Sequence, residues 1–303
     1  MTFIKAILEN DFLQYAILAS ALASAACAVL GTYTVLRRNS YMVGAVSHSL
    51  LGGIGGALYC QKVLGIAWLT PFTGAIIASL IVSMAITLPT LRGNSREDTI
   101  LSGIWTVGIA LGLCFIALLP GYREDLNSYL FGNILLISRG ELIGMLVLDA
   151  FVLLLAAIYH NRFLALFFNS ELLPLHNISI FRTTLLLNVL TGLAVVLLSR
   201  AVGVVLVLAL MVLAPSTALL LTRRLRLAML LAALLCMLEC TIGLAVSYYL
   251  EGLKPSLIIP AGAITILLAA FLYLLAALAG KIIRFFLHIK SPSDSPSKED
   301  NAC

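Results

Sequence analysis

Arg37-Arg38-Asn39-Ser40-Tyr41-Met42-Val43-Gly44-Ala45-Val46-Ser47-His48-Ser49-Leu50-Leu51-Gly52-Gly53 is the stretch that decides the fold. Two arginines close one apolar run, and a second run begins at once. Between Arg38 and Lys62 the only residue that titrates near neutral pH is His48. Basic residues stationed between apolar runs are the mark of successive membrane helices. A single imidazole inside lipid is costly, so its presence asks for a reason. The chemistry it offers there is metal ligation or proton transfer.

The rest of the chain has the same character. Of its 303 residues 61% are hydrophobic and only 11% charged, with a mean hydropathy of +1.08. Soluble domains average about 25% charged residues, so the composition indicates an all-α polytopic membrane bundle. The opening MTFIKAILEN lacks the layout of a cleavable signal, because Lys5 is followed by Glu9 and Asp11 before any long apolar run. The first membrane helix is therefore expected to be retained. The net charge of +5 is explained by basic residues at helix ends, and no nucleic-acid partner is expected. Among the six cysteines, Cys27, Cys114, Cys236 and Cys240 sit in apolar runs, where cysteine behaves as a small hydrophobe. Cys60 lies near a helix end and Cys303 in the tail. They suggest no disulfide framework.

A spanning helix needs about 20 apolar residues. The runs 13–36, 41–60, 66–89, 99–119, 140–159, 181–199, 202–222, 227–250 and 256–283 are nine candidates. The sixth and seventh meet at Ser199-Arg200-Ala201-Val202-Gly203, hardly a loop, so one of them could be short or re-entrant, leaving eight crossings. With Arg37-Arg38 taken as cytoplasmic, Arg92, Arg96, Arg162, Arg182, Arg223, Arg224, Arg226, Lys281, Arg284, Lys290 and Lys298 fall on the same side. Lys5, Lys62, Arg123, Arg139, Arg200 and Lys254 fall on the other. The bias predicts an outside N-terminus and a cytoplasmic C-terminus for nine crossings. The domain division is a membrane domain over 1–285 and a Pro/Ser-rich, disordered tail over 286–303. The longest cytoplasmic loop, about 160–181, is apolar rather than a polar linker. Asn169-Ser170 is expected to cap a short helix beginning at Glu171, and Asn177 to end it in a left-handed conformation.

Several fragments together resemble the membrane permeases of zinc/manganese/iron ABC importers, over most of residues 12–280. That family's second helix typically reads Gly-Asp-Ala-Leu-Ser-His-Ala; here it is Val43-Gly44-Ala45-Val46-Ser47-His48-Ser49, then Gly52-Gly53. Glu97-Asp98 with Leu101-Ser102-Gly103-Ile104 resembles the start of the family's fourth helix. Asp125-Leu126 with Tyr129-Leu130-Phe131-Gly132 is similar to its external loop. Phe168-Asn169-Ser170-Glu171 resembles the Phe-Asp-x-Glu start of the loop helix that couples to the ATPase. Val202 to Val207, Ala214-Pro215-Ser216-Thr217-Ala218, and Gly243-Leu244 with Ser247 resemble later signatures. The resemblance implies a permease that works as a pair around a central pathway.

One departure stands out. The family's aspartate lies four residues before the histidine, and this chain has Gly44 there. Residues i and i+4 share a helix face, so the family's pair offers one oxygen and one nitrogen to a passing cation. Gly44 removes the oxygen. The subunit is then the ligand-poor half of a heterodimer, or its ligands come from elsewhere, or metal handling here is only steric.

His48 either faces the pathway as a neutral metal ligand or hydrogen-bonds a neighbouring helix. Glu239, deep in the eighth run, is a functional candidate by its depth or a carboxyl group closing an interhelical hydrogen bond. Cys236 and Cys240 share a face and lie close to Glu239, so thiolate and carboxylate could bind zinc, or the thiols simply pack. Asp149 reads the same way, with Asn188 or Arg139 as the expected neighbour. His160, His176 and His288 fit membrane edges. Phe168, Asn169, Glu171 and Leu172 are the expected ATPase-coupling residues. Gly52 and Gly56 form a small-xxx-small pair for helix packing.

No HExxH, GxxxxGK[ST] or GxGxxG occurs, so any ATP hydrolysis belongs to a separate subunit. The reading is a permease subunit of an ABC importer for Mn, Zn or Fe in the bacterial inner membrane. It would bind no permanent cofactor. Its expected partners are a cytoplasmic ABC ATPase, a second permease subunit, an extracytoplasmic metal-binding protein and membrane lipid. A permease for a metal chelate such as a siderophore or corrinoid is the main alternative. An intramembrane enzyme would need converging ionisable groups, and only His48, Asp149 and Glu239 are available.

Overall fold

A computed structural model of the chain describes residue 7 and residues 10–91, 97–119, 139–253 and 260–289. The Asp125–Gly132 motif, residues 290–303 of the expected tail, and Lys5, Arg92, Arg96, Arg123 and Lys254 of the charge pattern lie outside these.

The described chain is helical. The elements are α1 (Asp11–Leu36), α2 (Ser40–Val63), α3 (Pro71–Thr87, continued by a 3-10 turn over Leu88–Leu91), α4 (Glu97–Ala117), α5 (Arg139–Ile158), α6 (His160–Phe168), α7 (Leu172–Leu175), α8 (Ile180–Val202), α9 (Val204–Leu221), α10 (Leu225–Leu253) and α11 (Ala261–Ile289). Helix is the form an apolar chain takes where no water can satisfy its backbone. Among the described residues seven helices are long and apolar enough to cross a membrane. The α5–α6 pair, bent by 60°, makes an eighth, and α3 is an apolar helix of 17 residues. The eight or nine expected spans agree with this.

Boundaries follow local chemistry. Pro71 occupies the first turn of α3, and the Thr70 hydroxyl accepts from the Thr73 amide at 3.3 Å, so the third helix starts later than position 66. Between α8 and α9 the break is a single residue. Gly203 has φ 92° and ψ 152°, a region essentially reserved for glycine. Both flanking segments are full helices, so neither is short. The expected loop at 160–181 is half helical, because α6 fills its first part. Asn177 does take a left-handed φ of 56°, and the Ile178 amide donates to the Leu173 carbonyl at 2.9 Å. The short helix begins at Leu172 rather than Glu171. At the far end α11 runs through Ile289, past the expected start of the tail.

The helices are sorted inside out relative to a soluble bundle. On α10, Ala228, Ala232, Cys236 and Cys240 face inward at intervals of four, while Leu227, Leu230, Leu234 and Leu238 face outward. Small residues let backbones approach where lipid gives no hydrophobic drive between helices. α1 is the centre of the bundle and packs on α2, α5, α8, α9 and α10. Its Gly31 lies against the Met211 carbonyl of α9 and 2.8 Å, measured from an added Cβ, from Pro215. Pro215 has no N–H to give that carbonyl, so α1 closes on the position where the helix ladder is open. Hydroxyls inside the bundle bond back along their own helices, as Thr32 does to the Ala28 carbonyl at 2.6 Å and Thr191 to Leu187 at 2.9 Å.

Candidate functional site: the His48 seam

α2 and α4 form a close seam built on glycine. A Cβ added to Gly52 would lie 3.0 Å from the Gly108 carbonyl oxygen, and one at Gly55 would lie 2.9 Å from that of Gly112. From the other side, a Cβ at Gly108 would lie 2.5 Å from the Ser49 Cα. Gly53 turns to α3, where an added Cβ would lie 2.5 Å from the Gly74 carbonyl oxygen. At Gly56, the expected partner of Gly52, an added Cβ would only touch the Phe115 ring at 3.5 Å, ordinary contact. The tight glycines are therefore Gly52 and Gly55 against Gly108 and Gly112.

Next along the same seam lies His48. It is half-buried, and its ring stacks on the Trp105 indole of α4 with centroids 4.7 Å apart and planes 16° from parallel. Its Nδ1 is buried without a hydrogen-bond partner, as is the Ser47 hydroxyl. Ser49 bonds the Val46 carbonyl at 2.8 Å. One turn before His48, a Cβ on Gly44 would lie 2.7 Å from Trp105 Cζ3 and 3.1 Å from Leu208 Cδ1 of α9. The space a side chain at position 44 would need is taken by indole.

The other candidates lie elsewhere. α10 packs mainly on α1, α9 and α11, so Cys236, Glu239 and Cys240 belong to a different part of the interior. There they lie within electrostatic reach of the buried thiol Cys27 of α1, as does Asp149 in the case of Cys27 itself. The Cys236 thiol donates to the Leu210 carbonyl at 3.5 Å. Both carboxyl groups are buried with no hydrogen-bond partner, so Glu239 does not close an interhelical bond. Among the described residues no three His, Cys, Asp or Glu side chains converge as a metal site. The expected neighbours of Asp149 are engaged with other groups. Asn188 accepts from Arg37 at 3.0 Å and donates to Thr87 at 2.9 Å. Arg139 donates to the Tyr15 hydroxyl and lies 4.0 Å from Asp11, at the exposed start of α5.

Around the bend, His160 is not merely interfacial. Its Nδ1 and the buried Tyr33 hydroxyl share a hydrogen bond, and Phe163 and Phe167 surround the same phenol ring. This ties α6 to the central helix. Phe168 is 73% exposed and Leu175 77%, with Asn169 and Glu171 exposed between them. Leu173 is buried beneath.

Sequence reading missed Trp105, Tyr33 and Gly108, and took Cys27 only as a small hydrophobe. A usable signal existed for two of them. A glycine in place of a carboxylate leaves a buried volume that something large must fill, and the chain has only two tryptophans. Gly108 and Gly112 repeat the small-xxx-small spacing of α2.

A bundle of apolar spans that buries ionisable groups between its helices is that of a polytopic membrane protein. The chain belongs to the ABC 3 transport family, whose sequence profile matches residues 9–280. It is thus a permease subunit of an ABC importer and not an enzyme, with ATP hydrolysed by a separate protein. It is 34% identical over 229 residues to a probable metal transport system membrane protein of Chlamydia trachomatis, covering 76% of this chain and 78% of the relative. It is 30% identical over 274 residues to the manganese transport system membrane protein MntC of Halalkalibacterium halodurans, covering 90% and 89%. Among solved structures, PsaBC from Streptococcus pneumoniae in complex with Fab superposes with a TM-score of 0.75 at 27% identity, over 90% of this chain and 94% of that one.

Proposed function

We propose that the chain carries a divalent transition-metal ion, Mn, Zn or Fe, across the bacterial inner membrane. It forms the pathway with a second permease subunit and accepts the ion from an extracytoplasmic binding protein. The observation that carries this reading is the half-buried His48 imidazole in the α2–α4 seam. A neutral imidazole is a good ligand for Zn and Fe and a weaker one for Mn. The metal-transporting relatives support the cargo class. A sparse ligand set suits transport, since an ion held too tightly would not leave.

The separate ATPase docks on the segment from Phe168 through Asn169, Glu171 and Leu172 to Leu175. The exposed Phe168 and Leu175 beside an anchored α6 support that assignment. The buried ionisable residues Glu239, Cys236, Cys240 and Asp149 take a secondary part or none. Proteoliposomes holding the permease and its ATPase, supplied with binding protein and radioactive Mn or Zn, test the role of His48. His48→Ala should lower uptake at limiting metal by at least the roughly 10- to 100-fold that loss of a ligand's outer-shell partner costs. Unchanged uptake would remove His48 from the pathway and favour a chelate as cargo.

A further inference from the structure

We infer that Trp105 stands where the missing carboxylate would act: it positions the His48 ring by stacking and, filling the space beside Gly44, bars an acidic ligand from the site. This rests on the reading of His48 as a cargo ligand and adds a specificity-determining residue to it.

Histidines that bind metal are usually oriented by a hydrogen bond from the nitrogen that does not ligate. Here Nδ1 is enclosed and has no such bond. The near-parallel indole, with planes 16° apart, is the contact that fixes the ring plane. With Nδ1 enclosed, Nε2 is the nitrogen left to meet a cation. The same indole lies 2.7 Å from where a Cβ at position 44 would be, with Leu208 closing the other side at 3.1 Å. A side chain at 44 requires the indole to leave the place where it stacks on His48. Gly44 and Trp105 are therefore a matched pair. Together they offer the ion a neutral nitrogen without a neighbouring carboxylate, a set that weakens the hold on harder, oxygen-seeking Mn relative to Zn.

The test uses the whole transporter in proteoliposomes, with Mn and Zn as competing cargo. Trp105→Phe keeps an aromatic face and should hold the KM for metal within about twofold of wild type. Trp105→Leu keeps bulk but loses the face, and should raise KM by roughly two- to tenfold, the worth of an aromatic pair, with the amount of assembled complex retained. Gly44→Asp should reduce assembled complex. Gly44→Asp combined with Trp105→Ala should restore assembly and shift competition towards Mn. Equal KM for the Phe and Leu variants would overturn the positioning role. Gly44→Asp assembling equally with Trp105 present or absent would overturn the matched pair. Loss of uptake in His48→Ala with a neutral Trp105→Leu defeats this inference alone. A neutral His48→Ala defeats the reading beneath it. A fluorescence measurement covers the case of a variant that fails to assemble. Trp68→Phe, at an exposed site, leaves Trp105 as the sole tryptophan of this chain, and its emission is read as the difference from the same transporter carrying Trp105→Phe as well. That emission should change on adding Mn or Zn, and the change should vanish with His48→Ala. Emission that ignores saturating metal would overturn the proposal.

Discussion

Gly108→Ala is the smallest change that should open the seam holding the site. The added methyl would lie 2.5 Å from the Ser49 Cα, 2.8 Å from its Cβ and 3.1 Å from its amide nitrogen. All three belong to the backbone or its first carbon, so no side-chain rotation relieves the clash. Ordinary contact lies at 3.4–4 Å, and the helices must part by about 1 Å. Overpacking of this kind costs roughly 1–3 kcal/mol. A gap of that size also forfeits a quarter to a half of the dispersion at the neighbouring Gly52 and Gly55 contacts. Trp105 lies three residues from Gly108, so its stacking on His48 should loosen as well. Gly103→Ala supplies the control on the same helix, because a Cβ there meets nothing within 4 Å. It should be neutral, or stabilising by up to about 1 kcal/mol from helix propensity. Thermal unfolding of the purified transporter should show Gly108→Ala several degrees below wild type and Gly103→Ala at or above it. Equal melting temperatures for the two would refute the claim that glycine-mediated approach holds the seam.

Gly203→Ala should destabilise by roughly 1–3 kcal/mol, since φ 92° with ψ 152° is costly for any side chain; the same unfolding assay reads it. Tyr33→Phe removes the hydrogen bond to His160 and should cost about 1 kcal/mol. It should also lower transport per ATP hydrolysed, because α6 then loses its hydrogen bond to the central helix and keeps only its packing on α1 and α8. Asn188→Leu takes away the acceptor for Arg37 and the donor to Thr87 and should cost roughly 1–3 kcal/mol, read by chemical denaturation. Cys236→Ala with Cys240→Ala should leave the KM for metal within about twofold, as no three-ligand group forms around them among the described residues. A large rise in KM would bring those thiols to the cargo.

Much of the fold was legible because lipid imposes a simple rule: apolar runs of spanning length become helices. The break at Gly203 and the left-handed Asn177 were readable from local chemistry. α6 was not, since His160-Asn-Arg-Phe-Leu-Ala-Leu-Phe-Phe168 is held as a helix by burial of Phe163 and by Tyr33 of a distant helix, neither of which a local pattern contains. The partners proposed for Asp149 failed for the same reason. Asn188 is drawn to Arg37 and Thr87 by the crossing of α8 with α1 and α3. At the site, sequence gave His48 and the missing carboxylate at Gly44. It could not say what fills the gap, because Trp105 reaches it only through the packing of α2 on α4.

The most direct test of a metal-touching His48 is pulsed electron paramagnetic resonance of Mn(II) bound to the assembled transporter carrying nitrogen-15 histidine. A nitrogen coupling that is present in the wild type and absent in His48→Ala is the predicted result. Mn(II) bound with the same spectrum in both proteins would contradict it.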